Sequence, residues 1–286
     1  MPRAPLVESF FRADRAFPNL GLRSMLGTAE KLGDPRIVRT FSMPLWRTCC
    51  ADAGSSCAVA SSVCRARCYF WKMTEGRENV ARRAERNWLI AQRDDFPQRF
   101  AAAVIRSHVE CVRLHDFGDF FSVAYIEAIA KVVRICREAH FWCYTRGWRV
   151  PGFIEPLRKL AAEPNFRLLL SADRETGLPP EILNTRVAWL ADDDGAAPSV
   201  PVHVVFRATG ERTADGDDTP LIRLGGSPVC PIENGLYSET EMDAYARTRK
   251  RKIGPQDCVA CGFCLFKEER SRTLEAGDAC PAETAV

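Results

Sequence analysis

Short apolar runs alternate with longer amphipathic stretches through the middle of this chain, and this alternation restricts the folds open to it. The runs of strand length are 111–115, 141–144, 166–170, 186–190 and 202–206. Stretches with the period of a helix precede or separate them: 79–94, 96–108, 122–138 and 153–162. Strands joined by helices predict parallel βαβ units. The fold class is therefore α/β, as an open or closed barrel or a doubly wound sheet.

Polar residues follow the predicted strands at the points where they leave the core. The first strand ends in the run HDFGD (115–119), the second in Thr145-Arg146 and the third in Ser171-Ala-Asp173. The carboxyl ends of parallel strands build the active sites of α/β proteins. These strand ends are therefore the expected place for catalysis or substrate binding.

The candidate catalytic residues are His115, Asp116, Asp119 and Arg146. Two nearby carboxylates can act as general acid and base, and an arginine suits a carboxylate or a phosphate. A structural alternative stays open, in which Asp119 and Ser122 cap the following helix and His115 makes local hydrogen bonds.

Three cysteines at two-residue intervals lie near the C-terminus: Cys258, Cys261 and Cys264 in the run CVACGFC. Cys-Pro pairs stand before and after this run, at Cys230 and Cys280. The pattern C-x2-C-x2-C with a remote Cys-Pro is a known way of holding a 4Fe–4S cluster by thiolates. Zinc, which prefers two separated C-x2-C pairs, and disulfides are the alternatives.

A second group, Cys57, Cys64 and Cys68, has the spacing C-x6-C-x3-C. Three thiolates on one loop can hold three irons of a 4Fe–4S cluster and leave the fourth open for a substrate or second cofactor. Radical S-adenosylmethionine enzymes use this arrangement, with the different spacing C-x3-C-x2-C. Cys49 or Cys50 can supply a fourth ligand and close the site, and thiols without metal are the structural alternative.

Some other residues of metal-binding type have a simpler explanation in the core. Cys111, Cys136 and Cys143 lie in predicted strands and a helix, where free cysteines pack as small apolar side chains. His203 alternates within an apolar strand and is expected to be a core histidine with satisfied hydrogen bonds.

Composition narrows the cellular setting and the partners. The 13 cysteines among 286 residues are too thinly spread for a disulfide-stapled miniprotein, and charges and Pro interrupt the N-terminal residues. No apolar run reaches membrane-spanning length. We therefore expect a cytoplasmic protein without a membrane partner. The formal charge of +3 does not demand a polyanion, but the basic run at 247–252 keeps a nucleic-acid partner open.

The predicted organisation has three parts. Residues 1–45 form an N-terminal extension interrupted by Pro and Gly. Residues 46–208 carry the first cysteine loop and the α/β unit. Residues 209–286 begin with a linker rich in Gly, Asp and Thr (209–228) and end in the Cys-cluster segment.

Three passages, in this order, resemble the phage and plasmid gene product 88 proteins. They are the cysteine loop from Cys57 to Cys68; the run 112–122 with the later run FWCYTR (141–146); and Cys230-Pro followed by CVACGFC. In that family the Cys-Pro precedes the three-cysteine run. The resemblance therefore favours Cys230 over Cys280 as the fourth ligand.

The layout also resembles radical S-adenosylmethionine enzymes with auxiliary clusters. This resemblance implies a partial TIM-like (β/α) barrel with a small Cys-rich tail, a catalytic cluster at the barrel mouth and an auxiliary cluster in the tail. S-adenosylmethionine would be the cofactor, an electron donor a partner, and the substrate an unidentified small molecule or nucleic acid. The competing hypothesis is a non-enzymatic iron–sulfur or zinc protein, in which the metal stabilises a nucleic-acid-binding or regulatory module.

Overall fold

A parallel β-sheet with helices packed on it forms the body of the molecule. The computed structural model describes residues 25–29, 32–48, 59–66, 68, 78–191, 198–207, 223–224, 227–228, 230, 258 and 264. None of the helices in these ranges combines the length and the apolar character needed to cross a membrane.

The strands and helices follow each other along the chain in a largely alternating order. The strands of the large sheet are β1 (Val38–Phe41), β2 (Cys111–Leu114), β3 (His140–Thr145), β4 (Phe166–Ala172), β5 (Thr185–Ala191) and β6 (Val204–Arg207). The helices are α1 (Leu45–Thr48), α2 (Ser62–Ala66), α3 (Glu78–Ala91), α4 (Phe96–Ser107), α5 (Val123–Ile135) and α6 (Ile154–Ala161). A 3-10 turn covers Gly147–Arg149, and the short strands β7 (Arg223–Leu224) and β8 (Ser227–Pro228) form an antiparallel pair.

Each strand of the large sheet pairs in parallel with the next strand of the chain, so the spatial order is β1-β2-β3-β4-β5-β6. Right-handed crossovers that always step in one direction place their helices on the same face. Side chains of α4, α5 and α6 accordingly pack against Val112, Phe141 and Leu168 in the main hydrophobic core. The predicted α/β class is confirmed. Among the described strands β1 and β6 remain the two edges, so this sheet is open.

Local periodicity predicts most of the elements correctly. The strands β2–β6 and the helices α3–α6 lie within a few residues of the predicted runs. Ser122 is the N-cap of α5, because its Oγ accepts a hydrogen bond from the Tyr125 N–H at 3.1 Å. The predicted packing cysteines are all buried: Cys111, Cys136 and Cys143.

The prediction for His203 is wrong in one respect. Its hydrogen bond is satisfied, since Nδ1 accepts from the Val187 N–H at 3.0 Å. The side chain is nevertheless exposed rather than part of the core. It lies just before β6, at the edge of the sheet, where its ring binds the Val187 N–H of the neighbouring strand β5.

Strand β1 is not visible in the sequence pattern. It lies within residues 1–45, so the sheet begins before the predicted boundary at residue 46. Its sheet partner β2 comes far later in the chain, with Val38 beside Cys111 and Phe41 beside Leu114, and Thr40 also forms an antiparallel bridge with Gly27. Phe41 also stacks on Phe100 of α4, with ring centroids 4.1 Å apart. The pair β7–β8 likewise lies in the stretch predicted to be a linker.

We expect Gly118→Ala to lower the free energy of unfolding by about 2–5 kcal/mol, and Gly152→Ala by only about 1–2 kcal/mol. Both glycines have φ of +84°, where a side chain is strained. A Cβ at Gly118 would lie 2.5 Å from the carbonyl oxygen of Met43, whereas a Cβ at Gly152 would meet nothing within 4 Å. Denaturant unfolding of both variants measures the difference; equal losses would show that the contact with Met43 costs nothing.

Candidate functional site

Asp119 joins the loop after β2 to the end of β3. Its Oδ2 accepts a hydrogen bond from the Arg146 N–H at 2.8 Å, and its Oδ1 accepts from the Phe120 N–H at 2.7 Å and from the Thr145 hydroxyl. Its own N–H donates to Oγ1 of Thr48 at 3.0 Å. The carboxylate is buried with only 4% exposed. Its role is therefore to fix the strand ends relative to each other.

A buried ion pair continues this network to the end of β4. The Arg146 Nη1 lies 2.7 Å from Oδ2 of Asp173, and neither side chain is appreciably exposed. Asp173 also accepts hydrogen bonds from the Ser61 hydroxyl and, at 3.0 Å, from the N–H groups of Glu175 and Thr176. Burial alone would raise the pKa of Asp173. The hydroxyl, the guanidinium and the N–H groups together hold that pKa below its usual value.

The N-terminal cysteine loop is bound to this same edge of the sheet. The Ser62 N–H donates to Oε2 of Glu175 at 2.7 Å, and Arg149 Nη1 donates to the Val59 carbonyl at 3.0 Å. Through these contacts and the Ser61–Asp173 hydrogen bond, α2 carries Cys64 to the strand ends.

Cys64 lies near the guanidinium of Arg146 and near Cys68, close enough for both to affect its pKa. Burial raises the pKa of the Cys64 thiol although the arginine opposes that effect. The third member of the predicted set, Cys57, lies outside the described residues, as do Cys49 and Cys50.

The other two predicted catalytic residues have different partners. His115 is buried, and its Nε2 lies 2.9 Å from the Tyr125 hydroxyl while its ring meets Phe120 edge-on. Burial lowers the pKa of His115 to about 3, so the ring is neutral at physiological pH. Asp116 forms an ion pair with Arg113 at 3.1 Å. His115 thus makes a local hydrogen bond, as expected if its role is structural. The Asp119 carboxylate and the Arg146 backbone, in contrast, are joined by a hydrogen bond at the strand ends.

The tail cysteines lie on the sheet face opposite the main core. Cys230, Cys258 and Cys264 pack in one apolar cluster with residues of β2–β6 and of the N-terminal part: Leu32, Val38, Cys111, Trp142, Tyr144, Leu169, Ala188, Val204 and Phe206. The Cys230 N–H donates to the Val205 carbonyl at 2.8 Å, so β6 fixes this residue. Cys261 and Cys280 lie outside the described residues.

Arginines share this second face with the tail cysteines. Trp142 of β3 has Arg113 of β2 as its register partner on one side and Arg167 of β4 on the other. In the next row, Arg186 of β5 is the register partner of Leu169. Arg167 and Arg186 are buried. Burial lowers the pKa of Arg186, while the nearby Cys264 and Tyr144 oppose that shift.

No disulfide joins two of the described cysteines, which agrees with metal or redox chemistry and with core packing. Within the described residues, no three His, Cys, Asp or Glu side chains are grouped closely enough to hold a single metal ion.

Two contacts of the site could not be predicted from the sequence. The Tyr144 hydroxyl donates to the Cys264 sulfur at 2.8 Å. The period of two in the run FWCYT could have placed Tyr144 on the face of Trp142, but nothing in the sequence indicates its partner. The Ser61–Asp173 hydrogen bond joins residues that are equally remote in sequence.

The fold and its two thiol groups define a parallel α/β protein with cysteines at the carboxyl edge of the sheet and on the face opposite its main core. The chain belongs to the gene product 88 family, whose profile matches residues 21–267. The family resemblance read from the cysteine and HDFGD passages is thereby confirmed.

Two curated relatives are phage proteins, each named Gene 88 protein. That of Mycobacterium phage L5 is 28% identical over 223 residues, which cover 74% of this chain and 79% of the relative. That of Mycobacterium phage D29 is 30% identical over 131 residues, which cover 42% of this chain and 53% of the relative. No solved structure matches the chain.

We expect the stability difference between the wild type and Asp119→Asn to grow as pH falls from 7 to 4. Burial raises the pKa of Asp119 to about 6 from 3.8, against the hydrogen bonds from Thr145, Arg146 and Phe120. Between these pKa values the folded state binds a proton that the unfolded state does not. This carboxyl therefore adds stability as pH falls through 6, by up to about 3 kcal/mol, and the variant lacks this gain.

Urea unfolding of both proteins at several pH values in this window measures the difference, since the other titrating groups cancel. A constant difference across the window would contradict a raised pKa for Asp119.

Proposed function

We propose that this protein binds iron–sulfur clusters at its two thiol groups and is an enzyme of radical S-adenosylmethionine type. The tail site would use Cys230, Cys258, Cys261 and Cys264, and the N-terminal site Cys57, Cys64 and Cys68. Of the tail set, Cys230, Cys258 and Cys264 are described and lie against one hydrophobic cluster. Of the N-terminal set, Cys64 and Cys68 are described and lie near each other.

The observation that carries the proposal is the position of Cys230. It is remote in sequence from Cys258 and Cys264, yet all three lie against the same hydrophobic cluster on the second face of the sheet. Apolar packing alone does not require three cysteines at the same place, whereas an iron–sulfur cluster is held by several cysteine thiolates. This position also supports Cys230 rather than Cys280 as the fourth ligand.

The chemistry of the donor set fits an anionic iron–sulfur cluster. Several thiolates bring a negative charge that a buried site must offset. Buried or half-buried arginines lie at both places: Arg146, which also pairs with Asp173, beside Cys64, and Arg113, which also pairs with Asp116, with Arg167 and Arg186 on the face of the tail cysteines.

The N-terminal loop has the better claim to catalysis, because it lies at the carboxyl ends of the strands. Six parallel strands in chain order support a partial (β/α) barrel, in which that edge would be the mouth. When bound, a cluster with one open iron supplies an electron and a binding place for S-adenosylmethionine. Asp119 and Asp173 hold Arg146 there, where its charge can orient an anionic cofactor or substrate group.

The remaining parts of the proposal follow from this chemistry. The proposed compartment is a reducing one such as the cytoplasm, where cysteines remain available as metal ligands. An external electron donor would be a partner. The substrate would be a small molecule or a nucleic acid.

We expect the anaerobically purified protein to carry about eight irons and eight sulfides per chain, and the variants Cys64→Ser and Cys264→Ser about four of each. Each serine removes one thiolate from one site only. Cys136→Ser is the matched control, because Cys136 is a buried free thiol of the helical side, with its sulfur 3.7 Å from the Ala101 carbonyl. That variant should keep about eight irons.

Iron, sulfide and zinc analysis measures these contents, and EPR of the reduced protein with and without S-adenosylmethionine tests the open iron. A spectral change that disappears in Cys64→Ser supports the enzyme. Four irons with an unperturbed spectrum favour a non-enzymatic iron–sulfur protein that binds nucleic acid or regulates, and stoichiometric zinc without iron would overturn both.

A further inference from the structure

Tyr144 faces the tail cysteines through its position on β3. Successive side chains of a strand point to opposite faces, so Tyr144 shares a face with Trp142 while Cys143 between them lies in the main core. Its hydroxyl donates a hydrogen bond to the sulfur of Cys264 at 2.8 Å.

Two arginines lie near this hydrogen bond. The guanidinium carbon of Arg113 lies 5.3 Å from the centroid of the Tyr144 ring. Arg186 shares a row across the sheet with Tyr144, since both are in register with Leu169. Arg186 is buried and lies close enough to Cys264 for their charges to interact. The sulfur of Cys264 therefore faces a hydrogen-bond donor and fixed positive charge on one side.

We propose that Tyr144, together with Arg186, raises the reduction potential of the cluster ligated by Cys264. This inference rests on the proposed iron–sulfur function. It makes the tail cluster easier to reduce than it would be without these two residues. Neither residue is a ligand; both are positioning residues that act through the sulfur of Cys264.

The physical reason is a difference between the two oxidation states. One-electron reduction adds one negative charge, part of which lies on the thiolate sulfurs. A donated O–H and a buried guanidinium stabilise the more negative state more strongly, and hydrogen bonds to cluster sulfurs are among the determinants of potential. The phenol transfers no proton in this step, because the electron alone comes from the external reductant.

The test is a redox titration of the full-length protein, purified anaerobically and followed by EPR, with dithionite as reductant. The tail signal is the one that Cys264→Ser lacks. We expect Tyr144→Phe to lower the ratio of reduced to oxidised tail cluster at fixed potential roughly tenfold, equivalent to a midpoint about 59 mV lower for a one-electron couple.

Tyr125→Phe is the matched control. It removes a buried tyrosine hydroxyl from the other face of the sheet, where the partner is His115. The midpoint of the tail cluster should not change in this variant. An unchanged midpoint in Tyr144→Phe, with iron content equal to the wild type, would overturn the inference.

Arg186→Gln gives a second, independent measurement. It keeps the phenol and removes the charge, so the midpoint should again fall. If Tyr144→Phe loses its iron, this variant decides: a lower midpoint supports the inference and an unchanged one contradicts it. Iron and sulfide contents of the wild type separate these outcomes from a failure of the iron–sulfur proposal itself, in which no cluster is present to titrate.

Discussion

The buried ion pair between Arg146 and Asp173 is the interaction on which the carboxyl edge of the sheet depends. Asp119 binds the backbone at Arg146, and Ser61 binds Asp173, so loops from β2, β3, β4 and the N-terminal cysteine region meet at two side chains. Removing one partner from such a pair leaves a buried charge, which generally costs about 3–5 kcal/mol. Cys64 lies beside this pair, so its position is fixed by the same network that orders the strand ends.

The order of the strands makes the two faces of the sheet different: one carries the main hydrophobic core and the other the tail cysteines. Because every crossover steps in the same direction, α4, α5 and α6 share one face and build the main core there. The other face is left for Cys230, Cys258 and Cys264, which pack on it from the C-terminal part of the chain. Stability thus comes mostly from the helical face, whereas thiols and arginines concentrate at the carboxyl edge and on the second face.

Part of the candidate site follows from sequence, and its limits have a physical cause. The ends of neighbouring parallel strands meet, so Asp119 and Arg146 could be expected together, and they are. His115 and Asp116 belong to the same run but diverge: His115 has a left-handed φ of +54° and bonds Tyr125, while Asp116 pairs with an arginine of β2. A run of polar letters cannot reveal which way each side chain turns, because that depends on backbone angles and on what fills the core.

Local patterns specify the α/β class, most helix and strand positions, the N-cap Ser122 and the packing cysteines, because these depend on periodicity and on residues a few positions apart. The edge strand β1, the exposed position of His203 and the hydrogen bond from Tyr144 to Cys264 become apparent only in the folded chain. The same is true of the position of Cys230 against the cluster that also contacts Cys258 and Cys264. Each of these depends on pairing between segments remote in the chain, which strand register and packing select and which no local pattern encodes.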